Sequence, residues 1–223
     1  MNRRAFISAS GSGVLLASCA GAMHAEKSEE GEEVTPAEDL MREHGVLRRV
    51  TFLYDDAVAR LEGQRDVPLD ALAAGAGIIR RVIEDYHEKI EEQMLFPRFE
   101  KAGKLADLTA ILRRPHQAGR VITDHVIALV KTPLADADRK NLAGALRSFN
   151  HMYRPHAARE DTVLFPEIRK LVGANAYKEL GEQFEDKEKE MIGEGGFERA
   201  VAEVAKVEQA FGLDDLASLT PGA

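Results

Sequence analysis

Apolar residues recur every three or four positions along four separate stretches of the chain. The stretches cover residues 40–61, 72–94, 108–129 and 142–163. Such spacing puts an apolar stripe along one side of an amphipathic helix. Breaks that contain glycine or proline separate the stretches, and the connections are short. The pattern therefore predicts an all-α fold, an antiparallel up-and-down four-helix bundle.

Histidine and glutamate stand among these apolar positions in a repeated order. The sequence His-x-x-x-Glu, followed by Leu-Phe-Pro, occurs at residues 87–97 and again at residues 156–166. Upstream of each copy stands Arg-x-His-x-x-x-Arg, at residues 42–48 and 114–120. Residues four apart on a helix lie on the same side, about one turn apart. The chain therefore carries a duplicated half-site of imidazoles and carboxylates, which is the ligand chemistry of a metal site.

The histidine and glutamate side chains lie on the apolar stripes, so they should be buried and need a common partner. An ionised carboxylate buried without a partner costs several kcal/mol, and an unsatisfied imidazole costs roughly 1–3 kcal/mol. A metal ion would satisfy all of them at once, whereas the alternative is a hydrogen-bonded His–Glu network without metal. His24, His125 and His151 lie in a polar segment or off the stripes, so we expect them not to contact a metal.

Composition narrows the kind of site and the number of domains. The chain has 223 residues, a net charge of −8 and one cysteine. The length suits a single domain with a tail, and the negative charge argues against a nucleic-acid partner because no basic surface neutralises phosphates. A lone cysteine excludes a cysteine-rich zinc site and an iron–sulfur cluster. Any metal must therefore bind to nitrogen and oxygen ligands.

The N-terminus indicates export from the cytoplasm. Arg3-Arg4 precede a short apolar run that resembles a twin-arginine signal, and Leu16-Ala17-Ser18-Cys19 resembles the lipobox of bacterial lipoproteins. We therefore predict a signal peptide at residues 1–18 and a lipidated acidic tether at residues 19–37, which anchors a periplasmic protein to the membrane through Cys19. The alternative is cleavage near Ala22, which would release a soluble periplasmic protein.

The order His, His-x-x-x-Glu, His, His-x-x-x-Glu, with Leu-Phe-Pro after each pair, resembles the hemerythrin-like, or HHE cation-binding, family. The resemblance covers residues 38–211, and the region from Phe184 looks like the additional C-terminal helices that follow the bundle. We therefore expect a hemerythrin-like bundle with C-terminal helices over residues 38–212 and a tail over residues 213–223.

This resemblance implies a non-haem di-iron centre, with two iron ions joined by an oxo or hydroxo bridge. The terminal ligands that it implies are His44, His87, His116 and His156, and the bridging carboxylates are Glu91 and Glu160. The ferritin pattern Glu-x-x-His occurs at Glu84, but its counterpart in the second half is Tyr153, so a ferritin-like site is disfavoured. Both Glu84 and Tyr153 should face inward, where they could orient ligands, although Tyr153 could equally be a core aromatic residue.

The sequence departs from the oxygen-carrying members of the family at Arg120. Those members have a fifth histidine at this position, so the centre here should lack one nitrogen ligand and have an additional open position. We expect Arg120 or Arg48 to help hold an anionic oxygen ligand. Pro115 and Pro155 precede two of the ligands and should kink the third and fourth helices, unless Pro115 marks a helix start.

These features leave three classes of function open. The resemblance implies an exported di-iron protein that binds and reacts with O2 or peroxide, and it allows a peroxide-consuming, catalase- or peroxidase-like activity. The alternatives are an iron or oxygen sensor or metal store without turnover, and a structural bundle with a vestigial site. Nitrogen and oxygen ligands alone also permit manganese or zinc. We expect O2, peroxide or a similar small ligand as the partner, and contact with the membrane only through the lipid anchor.

Overall fold

The computed structural model describes residues 34–131 and 134–222. These residues form helices joined by short turns and no strand occurs among them, which confirms the predicted all-α class. The predicted signal peptide, Cys19, Ala22 and most of the predicted tether lie outside the described residues. No helix within the described ranges combines the length and the apolar character needed to cross a membrane.

Four long helical runs follow one another along the chain. The first is α1 (Pro36–Glu62). The second helix, residues 69–101, consists of α2 (Leu69–Ile78), the π-helical segment π1 (Ile79–His87), α3 (Glu88–Ile90), π2 (Glu91–Leu95) and α4 (Phe96–Lys101). The third is α5 (Ala106–Leu129), and the fourth helix, residues 136–172, consists of α6 (Asp136–Arg159), π3 (Glu160–Leu164) and α7 (Phe165–Val172). Two further helices follow, α8 (Ala174–Met191) and α9 (Gly196–Phe211).

The first helix begins with a capping box. Thr35 Oγ1 accepts a hydrogen bond from the backbone N–H of Glu38 at 3.3 Å, and the Glu38 side chain accepts one from the backbone N–H of Thr35 at 3.5 Å. Pro36 occupies the first turn, where its missing N–H is not needed. Such a cap stabilises a helix by about 1 kcal/mol. It fixes the start of the helix that carries His44.

The π-helical segments π2 and π3 coincide with the repeated Leu-Phe-Pro sequence. π2 ends two residues before Pro97, and π3 ends two residues before Pro166. A proline cannot donate a helical hydrogen bond, and its ring presses against the carbonyl group four residues earlier. A wider turn relieves this contact, so the prolines explain why each His-x-x-x-Glu motif runs into a π-helical turn. Pro115 and Pro155 instead lie inside α5 and α6, so Pro115 does not mark a helix start.

Neighbouring long helices run antiparallel. Between the first and fourth helices, His44 Nδ1 lies 2.7 Å from Asp161 Oδ1. Further along α1, the Thr51 carbonyl oxygen accepts a 2.8 Å hydrogen bond from Asn150 Nδ2, so residue numbers rise on one helix as they fall on the other. The first helix also packs on the second, and α5 packs on both the second helix and α6. Each long helix therefore turns one face toward the same interior.

Two apolar clusters fill this interior. One includes Tyr153, and the other includes Phe96 and Phe165, the phenylalanines of the two Leu-Phe-Pro sequences. The Phe165 ring centroid lies 5.4 Å from that of His44, and the Phe96 centroid lies 5.7 Å from that of His116. These stacked rings shield the histidines from water.

The C-terminal helices cover the outside of the first two helices. Arg49 on α1 forms a two-point ion pair with Glu208 on α9. Gly75 on α2 approaches Val207 of α9 closely enough that an added Cβ would contact it at 3.8 Å. Helix α8 packs against α7 and α1. The long helices that position the candidate site are therefore held together from both inside and outside.

Candidate metal centre

The six residues predicted as metal ligands lie together in the interior of the protein. They are His44 on α1, His87 at the end of π1, Glu91 at the start of π2, His116 on α5, His156 on α6 and Glu160 at the start of π3. All six are buried. Ligand atoms of Glu91, His116, His156 and Glu160 all lie within 4.8 Å of one another.

Glu91 contacts histidines from both halves of the sequence. Its Oε2 atom lies 3.3 Å from His116 Nε2 on the third helix. The same oxygen lies 3.7 Å from His87 Nε2, one turn earlier on the second helix. Because His87 and Glu91 are four residues apart, the helix itself places both groups on one side.

Glu160 repeats this arrangement in the second half. Its Oε2 atom lies 3.1 Å from His156 Nε2, one turn earlier on the fourth helix. The same oxygen lies 3.5 Å from His44 Nε2 on the first helix. Each carboxylate therefore reaches a histidine of its own half and one of the other half, as a group that bridges two metal ions would have to do.

The four histidines form two pairs. The rings of His44 and His87, hereafter the first pair, have centroids 4.6 Å apart. His116 and His156, hereafter the second pair, have Nε2 atoms 3.1 Å apart. Two imidazole nitrogens at this distance share at most one proton between them, whereas both can direct lone pairs at a cation. Buried imidazoles that meet in this way are suitable ligands for a metal ion.

The carboxylates at the centre contact histidines but form no hydrogen bond of ordinary geometry within the described part of the chain. Both oxygens of Glu91 and of Glu160 are buried, and none of the described residues gives them a hydrogen bond of ordinary geometry. Burial, together with the neighbouring Glu91, raises the pKa of Glu160 well above its usual value. An anion in such a place is costly without a positive partner. Imidazole nitrogens and carboxylate oxygens suit iron, manganese and zinc, so the donor set and its unsatisfied atoms fit a metal centre.

Carboxylates hold three of the four imidazoles from the far side of the ring. The contacts are His44 Nδ1–Asp161 Oδ1 at 2.7 Å, His87 Nδ1–Glu43 Oε2 at 2.7 Å and His116 Nδ1–Glu92 Oε1 at 3.1 Å. A carboxylate at Nδ1 sets the tautomer and leaves the Nε2 lone pair for a metal. By contrast, no residue in the described part of the chain bonds Nδ1 of His156.

The imidazoles of the metal-free protein differ in charge. Burial and neighbouring histidines lower the pKa of His44 and of His156 well below its usual value. Burial opposes protonation of His116 as well, but the nearby carboxylates of Glu91 and Glu92 outweigh it and raise the pKa of His116 to about 9. His44 and His156 therefore offer neutral nitrogens, whereas a metal must displace a proton from His116.

Arg48 and Arg120 form ion pairs with two of the carboxylates that contact histidine Nδ1 atoms. Arg48 forms an ion pair with Asp161. Arg120 Nη2 lies 2.8 Å from Glu92 Oε1 and 2.6 Å from Glu88 Oε2. Each Arg-x-His-x-x-x-Arg sequence thus supplies both a histidine and an arginine that meet the same carboxylate. Because both guanidinium groups already have anionic partners, a direct role in holding an oxygen ligand stays a prediction.

Glu84 faces inward, but its partners are not the ligand nitrogens. Thr123 Oγ1 donates a hydrogen bond to Glu84 Oε1 at 2.5 Å, and Arg80 Nη1 lies 2.9 Å from Glu84 Oε2. Burial raises the pKa of Glu84 to about 7, against the opposing effects of Thr123 and Arg80. The side chain therefore links the second and third helices one turn away from His87.

Tyr153 occupies the position in the second half that corresponds to Glu84. Its hydroxyl donates a hydrogen bond to Glu88, and its ring meets the ring of His156 edge-on, with centroids 5.6 Å apart. A Cβ atom at Gly119 would overlap the Tyr153 hydroxyl, so the bare backbone of α5 makes room for it. Tyr153 is therefore both a core aromatic residue and a wall of the site.

Four acidic residues that the sequence analysis did not single out belong to the surroundings of the site. They are Glu43, Glu88, Glu92 and Asp161. A signal for two of them exists, because an acidic residue directly follows the glutamate of each His-x-x-x-Glu motif. His125 and His151 are exposed on their helices, away from the site, and His24 lies outside the described residues.

A cavity of about 310 Å³ opens at the seam between the first and fourth helices. It is lined by Leu47, Arg48, Thr51, Phe52, Tyr153, Arg154 and Ala157. Ala157 directly follows His156, as Glu88 directly follows His87 in the first half. Glu88 fills its own seam with bonds to Arg120 and Tyr153, whereas the small side chain of Ala157 leaves space.

Comparison with known proteins agrees with this geometry. The hemerythrin HHE cation binding domain matches residues 35–208, a range that contains all six converging residues. Uncharacterized proteins of Mycobacterium bovis and of two Mycobacterium tuberculosis strains are each 44% identical to the chain over 225 residues, which covers 96% of this chain and 88% of each relative. No solved structure matches the chain significantly. The chain therefore belongs to the hemerythrin HHE cation-binding domain family.

Proposed function

We propose that the protein holds two iron ions between its histidine pairs and binds and reacts with O2 or peroxide there. One observation carries the proposal: Glu91 and Glu160 each contact histidines of both pairs, and their buried oxygens form no hydrogen bond of ordinary geometry with the described residues. In this proposal the long helices are the antiparallel up-and-down four-helix bundle of the family, with α8 and α9 as its additional C-terminal helices.

The residues divide the work of holding the ions. The first pair would hold one ion, the second pair would hold the other, and the carboxylates of Glu91 and Glu160 would join them. Iron in this place would supply the redox chemistry. The protein fixes the donor atoms beforehand through the carboxylates at Nδ1, and Phe96 and Phe165 keep water away from the histidine rings.

The residue at position 120 favours reaction over reversible O2 storage. Oxygen-carrying relatives are expected to have a histidine there, whereas the Arg120 guanidinium cannot bind a metal as a cation. Its partners are Glu88 and Glu92. The second pair therefore offers one nitrogen fewer than in an oxygen carrier, and iron sites with open positions are the reactive ones.

Metal analysis with optical spectroscopy tests this function. The full chain is made in an iron-replete host, its iron is counted, and O2 and then peroxide are added to the reduced protein. We expect close to two irons per chain, rapid oxidation and consumption of peroxide. A protein that stays iron-free after anaerobic reconstitution overturns the proposal. A colour that develops with O2 and disappears under vacuum, together with no consumption of added peroxide, also overturns it. Iron that is bound but does not react with O2 or peroxide indicates a metal store.

We also propose that the mature protein is exported and tethered to the membrane through Cys19. The support is the paired arginines Arg3-Arg4 and the Leu-Ala-Ser-Cys sequence that ends at Cys19. Each methylene of an attached lipid that enters the bilayer contributes about 0.8 kcal/mol, so two or more acyl chains anchor a protein firmly. Cys19→Ala should move the protein from the membrane to the soluble fraction. An unchanged membrane fraction overturns lipidation, and an unprocessed cytoplasmic chain overturns export.

A further inference from the structure

The two halves of the site share one arrangement around their first histidine. His44 bonds Asp161, the residue after Glu160, and Arg48 pairs with the same carboxylate. In the other half, His116 bonds Glu92, the residue after Glu91, and Arg120 pairs with that carboxylate. The first histidine of each half is therefore held by an acid that the opposite half provides.

The second histidine of each half breaks this equivalence. His87 is held by Glu43, the residue that precedes His44, with Nδ1 and Oε2 2.7 Å apart. The residue that precedes His116 is Pro115, whose side chain has no hydrogen-bonding atom. Correspondingly, no partner for the buried Nδ1 atom of His156 exists among residues 34–131 and 134–222. Pro115 thus stands where the first half has its carboxylate.

We propose that the two metal subsites are unequal, and that the second pair holds its ion more weakly and releases it first. This inference rests on the proposed function, because it requires that two ions bind. The central carboxylates lie closer to the second pair, at 3.1 and 3.3 Å, than to the first, at 3.5 and 3.7 Å, so the weaker hold that we infer for the second pair comes from the far side of its rings. Both imidazoles of the first pair have Nδ1–carboxylate distances of 2.7 Å. In the second pair one such distance is 3.1 Å and the other contact is missing.

The physical reason is the support that the carboxylate gives to a ligand histidine. A carboxylate at Nδ1 fixes the ring, makes Nε2 more basic and compensates the charge of the metal. Loss of such a partner typically weakens metal binding by about 10–100-fold. His156 is also the most exposed of the four histidines, at 6% against 1% or less for the others. Its ring is therefore the one least restrained at the Nδ1 end.

The test is stepwise removal of metal from the full chain. Protein loaded with Fe²⁺ under anaerobic conditions is equilibrated with graded chelator, and metal per chain is counted at each concentration. We expect two steps separated by about 10–100-fold in chelator concentration. Loss of both ions in one step overturns the inference while the proposed di-iron function stands. Failure to bind a second ion at any concentration overturns the proposed function instead.

Matched variants identify which pair produces each step. Glu43→Leu removes the carboxylate from the first pair, and we expect the later step to move toward the earlier one. Glu43→Gln keeps an acceptor for His87 and should preserve part of the separation. If Glu43→Leu leaves the later step unchanged although the metal-free protein unfolds at the usual temperature, the inference is wrong.

Pro115→Glu supplies the missing carboxylate, and Pro115→Leu is its control, because both remove the proline but only one adds an acceptor. We expect the early step to shift to higher chelator concentration in Pro115→Glu alone. Equal shifts in both variants would show that the helix, not the carboxylate, sets the affinity and would overturn the inference. Thermal unfolding of the metal-free variants separates this effect from a general change of stability.

Discussion

The first histidine pair and the second are built from the same repeated sequence, yet their surroundings differ. Carboxylates hold both rings of the first pair, and Glu88 fills the seam beside His87. In the second pair no carboxylate of the described residues bonds Nδ1 of His156, and Ala157 leaves a cavity of about 310 Å³ at the neighbouring seam. The repeat has thus preserved the residues that face the centre, whereas the residues behind them have diverged.

This difference teaches how equivalent ligands acquire unequal properties. Nε2 atoms of all four histidines contact the same two carboxylates, and these contacts are shorter in the second pair, at 3.1 and 3.3 Å, than in the first, at 3.5 and 3.7 Å. The contacts at the centre therefore do not explain a weaker second pair. Asymmetry comes from one layer further out, where Glu43 has Pro115 as its counterpart and Glu88 has Ala157. The following substitutions should remove or increase the difference between the two halves of the site, beginning with the largest expected effect.

Removal of either central carboxylate should cause both histidine pairs to lose their metal ions, so that no difference between the pairs remains. Glu91→Ala or Glu160→Ala deletes an oxygen that contacts histidines of both pairs, so metal content should fall from about two ions to fewer than one per chain. Elemental analysis after reconstitution measures this. Glu167→Ala, a change at a half-buried site on the same helix as Glu160, serves as the control. Retention of both ions by either central variant would contradict the bridging role.

Arg120 and Arg48 should differ strongly in their effect on stability. Arg120 is 21% exposed and pairs with the buried Glu88 as well as Glu92, so Arg120→Ala leaves a buried carboxylate short of its cation and should cost about 3–5 kcal/mol. Arg48 is 51% exposed, and Arg48→Ala should cost less than about 1 kcal/mol. Urea unfolding of the metal-free proteins compares them. Equal losses of unfolding free energy in the two variants would show that the two arginines contribute equally to stability.

The corresponding residues Glu84 and Tyr153 should give the halves different pH dependence. Burial raises the pKa of Glu84 to about 7, above the value near 4.5 of the unfolded chain. Between these values the folded protein keeps a proton that the unfolded chain has lost, so stability falls as pH rises through this window. The loss is on the order of 3 kcal/mol.

Glu84→Gln isolates this contribution from other titrating groups. Unfolding free energies of the metal-free wild type and variant are measured at pH 5 and pH 8, and the wild type should lose more stability between them. Burial and the nearby Glu88 raise the pKa of Tyr153 well above its usual value, so its hydroxyl does not titrate between pH 5 and pH 8. A wild type and Glu84→Gln with parallel pH profiles would refute the assignment to Glu84.

The two helical glycines at positions 119 and 144 should respond oppositely to alanine. A Cβ at Gly119 overlaps the Tyr153 hydroxyl, so Gly119→Ala should destabilise the protein by about 1–3 kcal/mol. A Cβ at Gly144 on α6 meets nothing within 4 Å, and Gly144→Ala should stabilise it by about 0.5–1 kcal/mol. Thermal unfolding of both variants decides this. A destabilising effect at both positions would mean that Tyr153 is not the cause.

Much of the helical fold could be predicted because its signals are local. The apolar stripe that includes Leu47 and Val58, and the break from Gly63 to Pro68, are readable within a few turns of one helix. The π-helical turns were not predicted, since a π turn differs from an α turn by one residue and leaves the apolar spacing almost unchanged.

The residues of the candidate site could likewise be predicted where they are near in sequence, but not where they are distant. His87 and Glu91 stand one turn apart and recur in a second copy, so the sequence alone indicates them. The bond between His44 and Asp161 joins residues 117 positions apart, and only the packing of the first helix on the fourth brings them together. The residues that distinguish the two pairs are therefore the ones that periodicity could not reveal.

The π-helical turns also show how closely the two halves of the chain match in local geometry. π2 and π3 are 5 residues long and occupy the same positions of the two repeats, each starting at the glutamate of the motif. The same local sequence, His-x-x-x-Glu followed by Leu-Phe-Pro, thus has the same departure from the α-helix in both halves. One half supplies only two histidines and one glutamate, and its first histidine relies on an acid of the other half. Neither half of the chain therefore holds a complete centre, which exists only where the two halves meet.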